Sequence, residues 1–234
     1  IWAPDPATMY AANVQGTVNV IEAAGAAGVE RIVHCSSVAA VKVRDTGPAD
    51  ESSEYRSADE IVSDYKKSKW LAEQAALELA QKGLPVVVVN PAAPIGPLDI
   101  KPTPTGKIVV DFLSGRMPSY IDTGLNVVHV ADVAYGHLAA ARKGRVGERY
   151  ILGNANLTLK QLLDMLAELT GLPAPRFKTP YAVAYAFGAL DTARARLMGG
   201  EPLAPLDAVR MARHKMFFDS NKAVRELGLP QPPA

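Results

Sequence analysis

Apolar residues in the first 95 positions alternate between helical spacing and short continuous runs. From Met9 to Ala27 they recur near every third or fourth position, which predicts a helix that Gly28 ends. The runs over residues 31–35 and 85–90 predict buried strands, and the second is rich in β-branched residues. A long helix is predicted between them, over residues 59–81. Strand, helix, strand in this order is typical of a βαβ unit with parallel strands.

The later part of the chain is dominated by helical patterns. Residues 91–106 hold five prolines and predict a loop. Thr158 and Gln161 form a capping box that opens a helix, and Pro180 opens another. The apolar helix after Pro180 is expected to pack in the core or against a substrate lobe in preference to a membrane surface. Shorter elements are predicted at residues 107–113, 127–130, 132–142, 150–152 and 220–227. The pattern favours a doubly wound domain followed by a smaller mixed lobe, with a ligand between them.

Composition narrows the class of protein. The 234 residues are 48% hydrophobic and 21% charged, with a net charge of +1, so no nucleic-acid partner is indicated. The single cysteine, Cys35, excludes an intrachain disulfide and is expected to be a buried small side chain. No metal site is expected from the scattered histidines. The single cysteine fits a reducing, cytoplasmic setting. No apolar run approaches the length of a membrane span, so we expect no integral membrane segment.

A tyrosine and a lysine lie on one face of the second predicted helix. Tyr65 and Lys69 are four residues apart, and an ammonium beside a phenol favours the phenolate. Such a phenol can exchange a proton with a substrate oxygen. Taken alone, the pair fits a solvated helix face better than a catalytic pair.

Polar residues at two other places strengthen the catalytic interpretation. Ser36 and Ser37 follow the first predicted strand, where the carboxyl ends of parallel strands face a ligand crevice. Asn13 lies on the preceding helix, and a polar side chain on a buried face requires partners. A turn that caps the strand and a polar packing contact between helices remain the alternatives for these residues.

Taken in order, these motifs resemble the extended short-chain dehydrogenases/reductases of the NAD-dependent epimerase/dehydratase superfamily. The matching segments are N-V-Q-G-T-V-N at residues 13–19, S-S at 36–37, Y-K-K-S-K at 65–69, N-P at 90–91 and V-H-V-A-D-V-A at 128–134. Residues 219–228 resemble the terminal D-x-x-K-x-x-x-E-L-G of the family. Within the superfamily the chain is most similar to the dihydroflavonol-reductase-like branch, and there to bacterial hopanoid-associated sugar epimerases.

The resemblance implies a role for each matching residue. Tyr65 would be the acid/base, Lys69 its electrostatic partner and a ribose contact, and Asn13 a supporting residue of the catalytic set. Ser37 would hold the substrate oxygen with Ser36 beside it, and Asn90 would lie near the substrate. The backbone of Pro91, Ala92 and Ala93 would meet the nicotinamide end of NAD or NADP. The reaction implied is hydride transfer at a carbinol or ketone carbon of a sugar-like or other small substrate.

The sequence departs from the family pattern at two places, and these change what we expect of its fold and of its substrate contacts. The glycine-rich G-x-x-G-x-x-G loop that opens the family's fold does not occur in the 234 residues, and the chain begins Ile1-Trp2-Ala3-Pro4 without a methionine. We therefore expect a Rossmann-like fold that lacks its N-terminal part, with residues 1–95 as the second half of the dinucleotide-binding domain. Residues 96–234 would form mainly the substrate lobe, with some segments returning to the first domain. Leu125-Asn126-Val127 stands where many nucleotide-sugar enzymes carry an Arg-Asp pair.

Other functions remain open on the sequence. The chain could belong to a non-catalytic, nucleotide-binding regulatory member of the fold, or it could be a truncated, inactive fragment. The presence of Ser37, Tyr65 and Lys69 together favours an enzyme. The resemblance also implies a homodimer, in which the Asn13 and Tyr65 helices pair with their copies in a four-helix bundle.

Overall fold

The computed structural model describes residues 5–233, so the opening segment Ile1–Pro4 lies outside the described part of the chain. Its helices are α1 (Pro6–Tyr10), α2 (Gly16–Ala26), α3 (Asp64–Gln81), α4 (Pro104–Leu113), α5 (Val130–Lys143), α6 (Leu159–Thr170), α7 (Tyr181–Met198), α8 (Leu206–Met211) and α9 (Asn221–Leu227). Its strands are β1 (Ile32–Cys35), β2 (Val86–Pro91), β3 (Ala93–Ile95), β4 (Ser119–Tyr120), β5 (Gly124–His129), β6 (Arg149–Leu152), β7 (Ala155–Thr158) and β8 (Phe177–Lys178). A π-helical turn, Ala11–Gln15, joins α1 to α2.

A three-stranded parallel sheet in the order β1–β2–β6 forms the centre of the molecule. The middle strand β2 is fully buried from Val86 to Val89. Its valines suit a strand that is covered on both faces, because β-branched side chains pack well on a pleated surface. The predicted βαβ unit and the α/β fold class are confirmed.

A second sheet lies beyond the central one. β5 pairs with β3 in parallel and with β7 in antiparallel orientation, and β4 pairs with β8. Helices α5 and α9 pack against the central sheet although both lie after residue 95. Segments after residue 95 thus pack on the central sheet. A domain boundary at residue 95 stays a prediction.

Two helix starts differ from the sequence prediction. α3 begins at Asp64 and not at residue 59, because the hydroxyl of Ser63 caps it by accepting from the backbone N–H of Lys66. Residues 58–60 form a separate 3₁₀ turn. α4 begins at Pro104, inside the stretch predicted to be a loop. Proline fits the first helical turn since its missing N–H would have no partner there.

Helix α7 packs against α8, but it does not bury its large apolar residues. The residues that it buries are small or polar: Ala184, Gly188, Asp191, Thr192 and Ala195. Its large apolar residues Val183, Phe187, Leu190 and Leu197 are exposed. The sequence could not indicate the buried side because apolar residues surround the whole helix. Within residues 5–233, no helix combines the length and apolarity needed to cross a bilayer.

The capping box at the start of α6 forms as predicted. Thr158 accepts from the backbone N–H of Gln161 at 3.2 Å, and the Gln161 side chain accepts from the N–H of Thr158 at 2.9 Å. We expect Thr158→Ala to lower the free energy of unfolding by about 1 kcal/mol, because it removes the side-chain acceptor of the cap. Urea denaturation measures the change. Thr158→Ser keeps the acceptor and should cost much less, whereas equal losses would attribute the effect to the methyl group.

Candidate active site

A cleft of about 490 Å³ opens at the carboxyl ends of the central strands. Ser37 and Tyr65 line one side of it, and Ala92, Ala93 and Pro94 line the next. Helix α8 and the segment after it close the far side with Met211 and other apolar residues. The remaining lining residues are Val38, Ala39, Thr103, Pro104, Thr105, Ile108, Thr123, Gly124, Leu125, Asn126, Ala208, Ala212, Met216 and Phe218. The lining from the described residues contains no charged side chain.

Ser37 and Tyr65 meet at this cleft from different elements. Ser37 follows β1 and caps a 3₁₀ turn, where its hydroxyl accepts from the N–H of Ala39 at 3.1 Å. Tyr65 lies in the first turn of α3, which the cap at Ser63 positions. A hydroxyl and a phenol therefore face the same space, as the motif order predicts.

The electrostatics of Tyr65 differ from the expectation. Burial raises the pKa of its phenol above the ordinary 10, a hydrogen bond with Ser37 opposes that rise, and Cys35 adds to it. The ammonium of Lys69 donates to the carbonyl oxygen of Cys35 at 3.3 Å. The phenol is therefore protonated at neutral pH and can donate a proton.

The raised pKa of Tyr65 can be measured directly. In the protein without cofactor, we expect the Tyr65 phenol to remain mostly protonated at pH 10, because burial disfavours the phenolate. The difference in phenolate absorbance between wild type and Tyr65→Phe during a pH titration reports this group. A phenol that titrates near neutral pH would show that Lys69 controls it after all.

Asn13 supports the tyrosine helix from outside the cleft. Its side-chain amide donates to the hydroxyl of Ser68 at 2.9 Å, and that hydroxyl donates to the carbonyl oxygen of Tyr65 at 2.9 Å. Asn13 lies in the π-helical turn, a feature that often marks functional sites. Asn13 is placed here as a positioning residue, since it does not line the cleft.

Asn90 does not line the cleft, so its expected place near the substrate stays a prediction. It is fully buried at the end of β2. Its amide donates to the backbone carbonyl of Ser37 at 3.0 Å and to the carboxylate of Glu73. Asn90 thus fixes the backbone that carries Ser37.

Sequence reasoning missed the buried ion pair behind Asn90. Glu73 has no exposed surface and its carboxylate lies 2.9 Å from the guanidinium of Arg149, which is itself 6% exposed. Arg149 also donates to the backbone carbonyls of Glu51 and Ser53. The sequence does hold one signal for this pair. Glu73 stands at helical spacing from Ala76 and Ala80, which are buried, and a charged side chain on the core face of a helix requires a partner.

Cys35 is exposed, contrary to expectation. A hydrogen bond with His137 lowers the pKa of the Cys35 thiol, and burial acts in the opposite direction. The same hydrogen bond raises the pKa of His137.

A parallel sheet with a serine, a tyrosine and a lysine gathered at its carboxyl edge defines the class of extended short-chain dehydrogenases/reductases. The sequence profile of the NAD dependent epimerase/dehydratase family matches residues 2–153. The chain belongs to this family, and the expected NAD(P)-dependent type of enzyme is confirmed.

Three similar proteins illustrate the relationship. A Synechocystis protein that carries the name dihydroflavonol 4-reductase is 44% identical over 235 residues, which is 99% of this chain and 68% of that protein. Sterol demethylase protein B of Methylococcus capsulatus is 34% identical over 227 residues, or 96% of this chain and 69% of that protein. The crystal structure of gox2253 has a TM-score of 0.84 at 46% identity. The match covers 100% of this chain and 71% of the gox2253 chain.

The residues present fit the nicotinamide and ribose end of the family's cofactor. Lys69 uses one of three ammonium N–H donors on Cys35, so donors remain for a ribose diol. The Ser36 hydroxyl is buried and has no hydrogen-bond partner among the described residues. Ala92 and Ala93 line the cleft, while Pro91 pairs with Leu152 at the end of β2.

Proposed function

We propose that the protein is an NAD(P)-dependent reductase of an uncharged, mainly apolar ketone or aldehyde. The uncharged lining of the cleft carries this proposal. A nucleotide diphosphate brings negative charges, and burying them without a cation is costly. The absence of an Arg-Asp pair before residues 128–130 agrees with this preference. A sugar epimerase that acts on a nucleotide-linked substrate is therefore the weaker candidate.

Names of relatives support the same substrate class. One relative carries the name of a reductase and another that of a sterol demethylase protein. A fused-ring apolar molecule suits a wall made of Val38, Ile108, Leu125, Met211 and Met216. Hydrophobic contacts of this kind bind without fixing orientation, so the polar groups of the site must orient the carbonyl.

The proposed reaction assigns one task to each polar residue. The bound nicotinamide supplies the hydride chemistry. Tyr65 is protonated at neutral pH and gives its proton to the oxygen of the reduced carbonyl. Ser37 holds that oxygen beside the phenol, and Lys69 contacts the ribose. Asn13 and Asn90 keep the backbones of Tyr65 and Ser37 in place.

A paired-substrate assay tests the proposal. Ketones and aldehydes with an apolar body are compared with matched compounds that carry a phosphate, and UDP-glucose is assayed for epimerisation. We expect NADH or NADPH oxidation with the uncharged set and a higher KM for each phosphorylated partner. Preferred turnover of the phosphorylated compounds, or epimerisation of UDP-glucose alone, would overturn the proposal.

A homodimer through α2 and α3 is proposed on the family resemblance. In the structure α2 packs against α3, and no large apolar residue of α3 is exposed. Val20 of α2 is 67% exposed and is the residue available for a partner. A two-fold interface that is stable should bury upward of about 1,200 Å².

The dimer proposal predicts a monomer after one substitution. We expect light scattering at micromolar concentration to show a dimer for the wild type. Val20→Glu should shift it toward a monomer, since the charge would be buried at the interface. Leu138→Glu, on the exposed part of α5, is the control. A monomeric wild type, or a dimer that tolerates Val20→Glu, would remove these helices from the interface.

A further inference from the structure

Helix α7 presents a broad apolar face to solvent. Its exposed residues are Ala182, Val183, Tyr185, Ala186, Phe187, Leu190, Ala193, Arg194, Arg196, Leu197 and Met198. At 100° per residue these positions cover an arc of about 220°. Val183 is 57% exposed, Phe187 53%, Leu190 74% and Leu197 87%. Most of the apolar side-chain surface of α7 thus stays in water.

The distribution is the reverse of an ordinary amphipathic helix. A helix on a globular protein normally turns its large apolar residues inward. α7 instead buries Gly188, Asp191 and Thr192 against the lobe. Asp191 accepts from the backbone N–H of Ala204, and Thr192 accepts from that of Leu206. The polar contacts fix this orientation, so the apolar face cannot turn inward without breaking them.

The charges around this face are positive. Of the exposed residues of α7, only Arg194 and Arg196 are charged. Residues 172–215 contain seven lysines and arginines against three acidic residues. Asp191 pairs with Arg194 and Asp207 pairs with Arg210, which leaves five basic residues of this segment against Glu201. The partner of this face should therefore be apolar and carry negative charge.

The breadth of the arc decides against pairing with a second α7. A two-stranded coiled coil uses a narrow seam of two positions in seven. A lipid surface covers a wide arc, and anionic headgroups attract arginine.

We propose that α7 binds the surface of an anionic lipid membrane and lies along it. Phe187 and Leu190 enter the boundary of the acyl region, and Arg194 and Arg196 stay at the headgroups. Helix α8 packs against α7 and lines the candidate active site with Ala208, Met211 and Ala212. Membrane binding therefore holds the cleft close to an apolar phase.

Vesicle co-sedimentation tests the proposal on the full chain. We expect binding to vesicles of phosphatidylcholine and phosphatidylglycerol in equal amounts, and much weaker binding to phosphatidylcholine alone. The double substitution Phe187→Glu and Leu190→Glu should reduce partitioning at least about tenfold, which is roughly the contribution of one buried large side chain. Arg196→Gln should lower partitioning about fivefold, and Arg194→Gln should lower it less because Asp191 already pairs with Arg194.

The matched control carries the same change in charge at a different place. Ile100→Glu with Leu138→Glu alters two exposed apolar residues outside α7 and should bind vesicles nearly as the wild type does. Equal loss in the control would show a general charge effect and overturn the proposal. A wild type that binds neither vesicle would overturn it too. An α7 variant that changes only the oligomeric state, with vesicle binding kept, would identify a second copy as the partner instead.

A second measurement avoids any disruptive substitution. Phe187→Trp should be quenched by brominated lipids in phosphatidylglycerol vesicles, whereas Leu138→Trp should add no quenched fluorescence. Unquenched fluorescence from Trp at position 187 in sedimented protein would show that another surface binds the lipid.

Discussion

Tyr65→Phe is expected to lower turnover by about 10²–10⁴-fold and to leave the melting temperature nearly unchanged. That range is typical for removal of a general acid. The phenol faces the cleft beside Ser37, and its raised pKa keeps the donated proton in place at neutral pH. Steady-state kinetics on the natural protein, with a carbonyl substrate identified in the paired assay, give the ratio of kcat values.

The control separates loss of chemistry from loss of structure. Tyr185→Phe removes a phenol oxygen on the partly exposed α7, outside the cleft, and should retain turnover. Cofactor affinity of Tyr65→Phe should change far less than kcat. Near wild-type turnover in Tyr65→Phe would remove the tyrosine from the catalytic role.

Glu73→Ala is expected to lower the free energy of unfolding by about 3–5 kcal/mol. Both partners of its ion pair are buried, and removing the Glu73 carboxylate leaves Arg149 with only the exposed Glu54 as a counter-charge, at 3.2 Å. Asn90 loses an acceptor in the same substitution. Chemical denaturation monitored by circular dichroism measures the change.

A double-mutant cycle shows whether the pair itself matters. Arg149→Met added to Glu73→Ala removes the isolated charge and should restore a large part of the stability. Glu73→Gln keeps the size and should fall between wild type and Glu73→Ala. A loss below about 1 kcal/mol in Glu73→Ala would mean that Glu54 and the backbone carbonyls around Arg149 compensate its charge without Glu73.

Local patterns in the sequence were enough to predict the parts of the site that depend on nearby residues. Tyr65 and Lys69 share a helix face by their spacing, and Ser37 follows a strand whose apolar run is evident. The parallel strands were predictable because β-branched runs with a helix between them have few alternative arrangements. Their assignment to catalysis rests on the family resemblance and stays a prediction until it is tested.

Features that depend on distant contacts could not be predicted. Glu73 and Arg149 are 76 positions apart, and no local pattern pairs them. The family resemblance placed Asn90 near the substrate, but it could not indicate that Glu73 and the Ser37 carbonyl hold the side chain inside. The two-residue strands β4 and β8 carry no periodicity to detect. The sequence did not indicate which face of α7 is exposed, because Asp191 and Thr192, which hold the buried face, are few among many apolar residues.

The separation of Glu73 from Arg149 has a consequence for synthesis on the ribosome. At about 5–20 residues per second, the 76 positions between them take roughly 4–15 s to add. During that time β2 lacks its neighbour β6, and the carboxylate of Glu73 lacks its partner. The nascent chain therefore cannot close its central sheet around Asn90 until residue 149 has left the exit tunnel. The backbone at Ser37, which Asn90 holds, thus reaches its final conformation only late in translation.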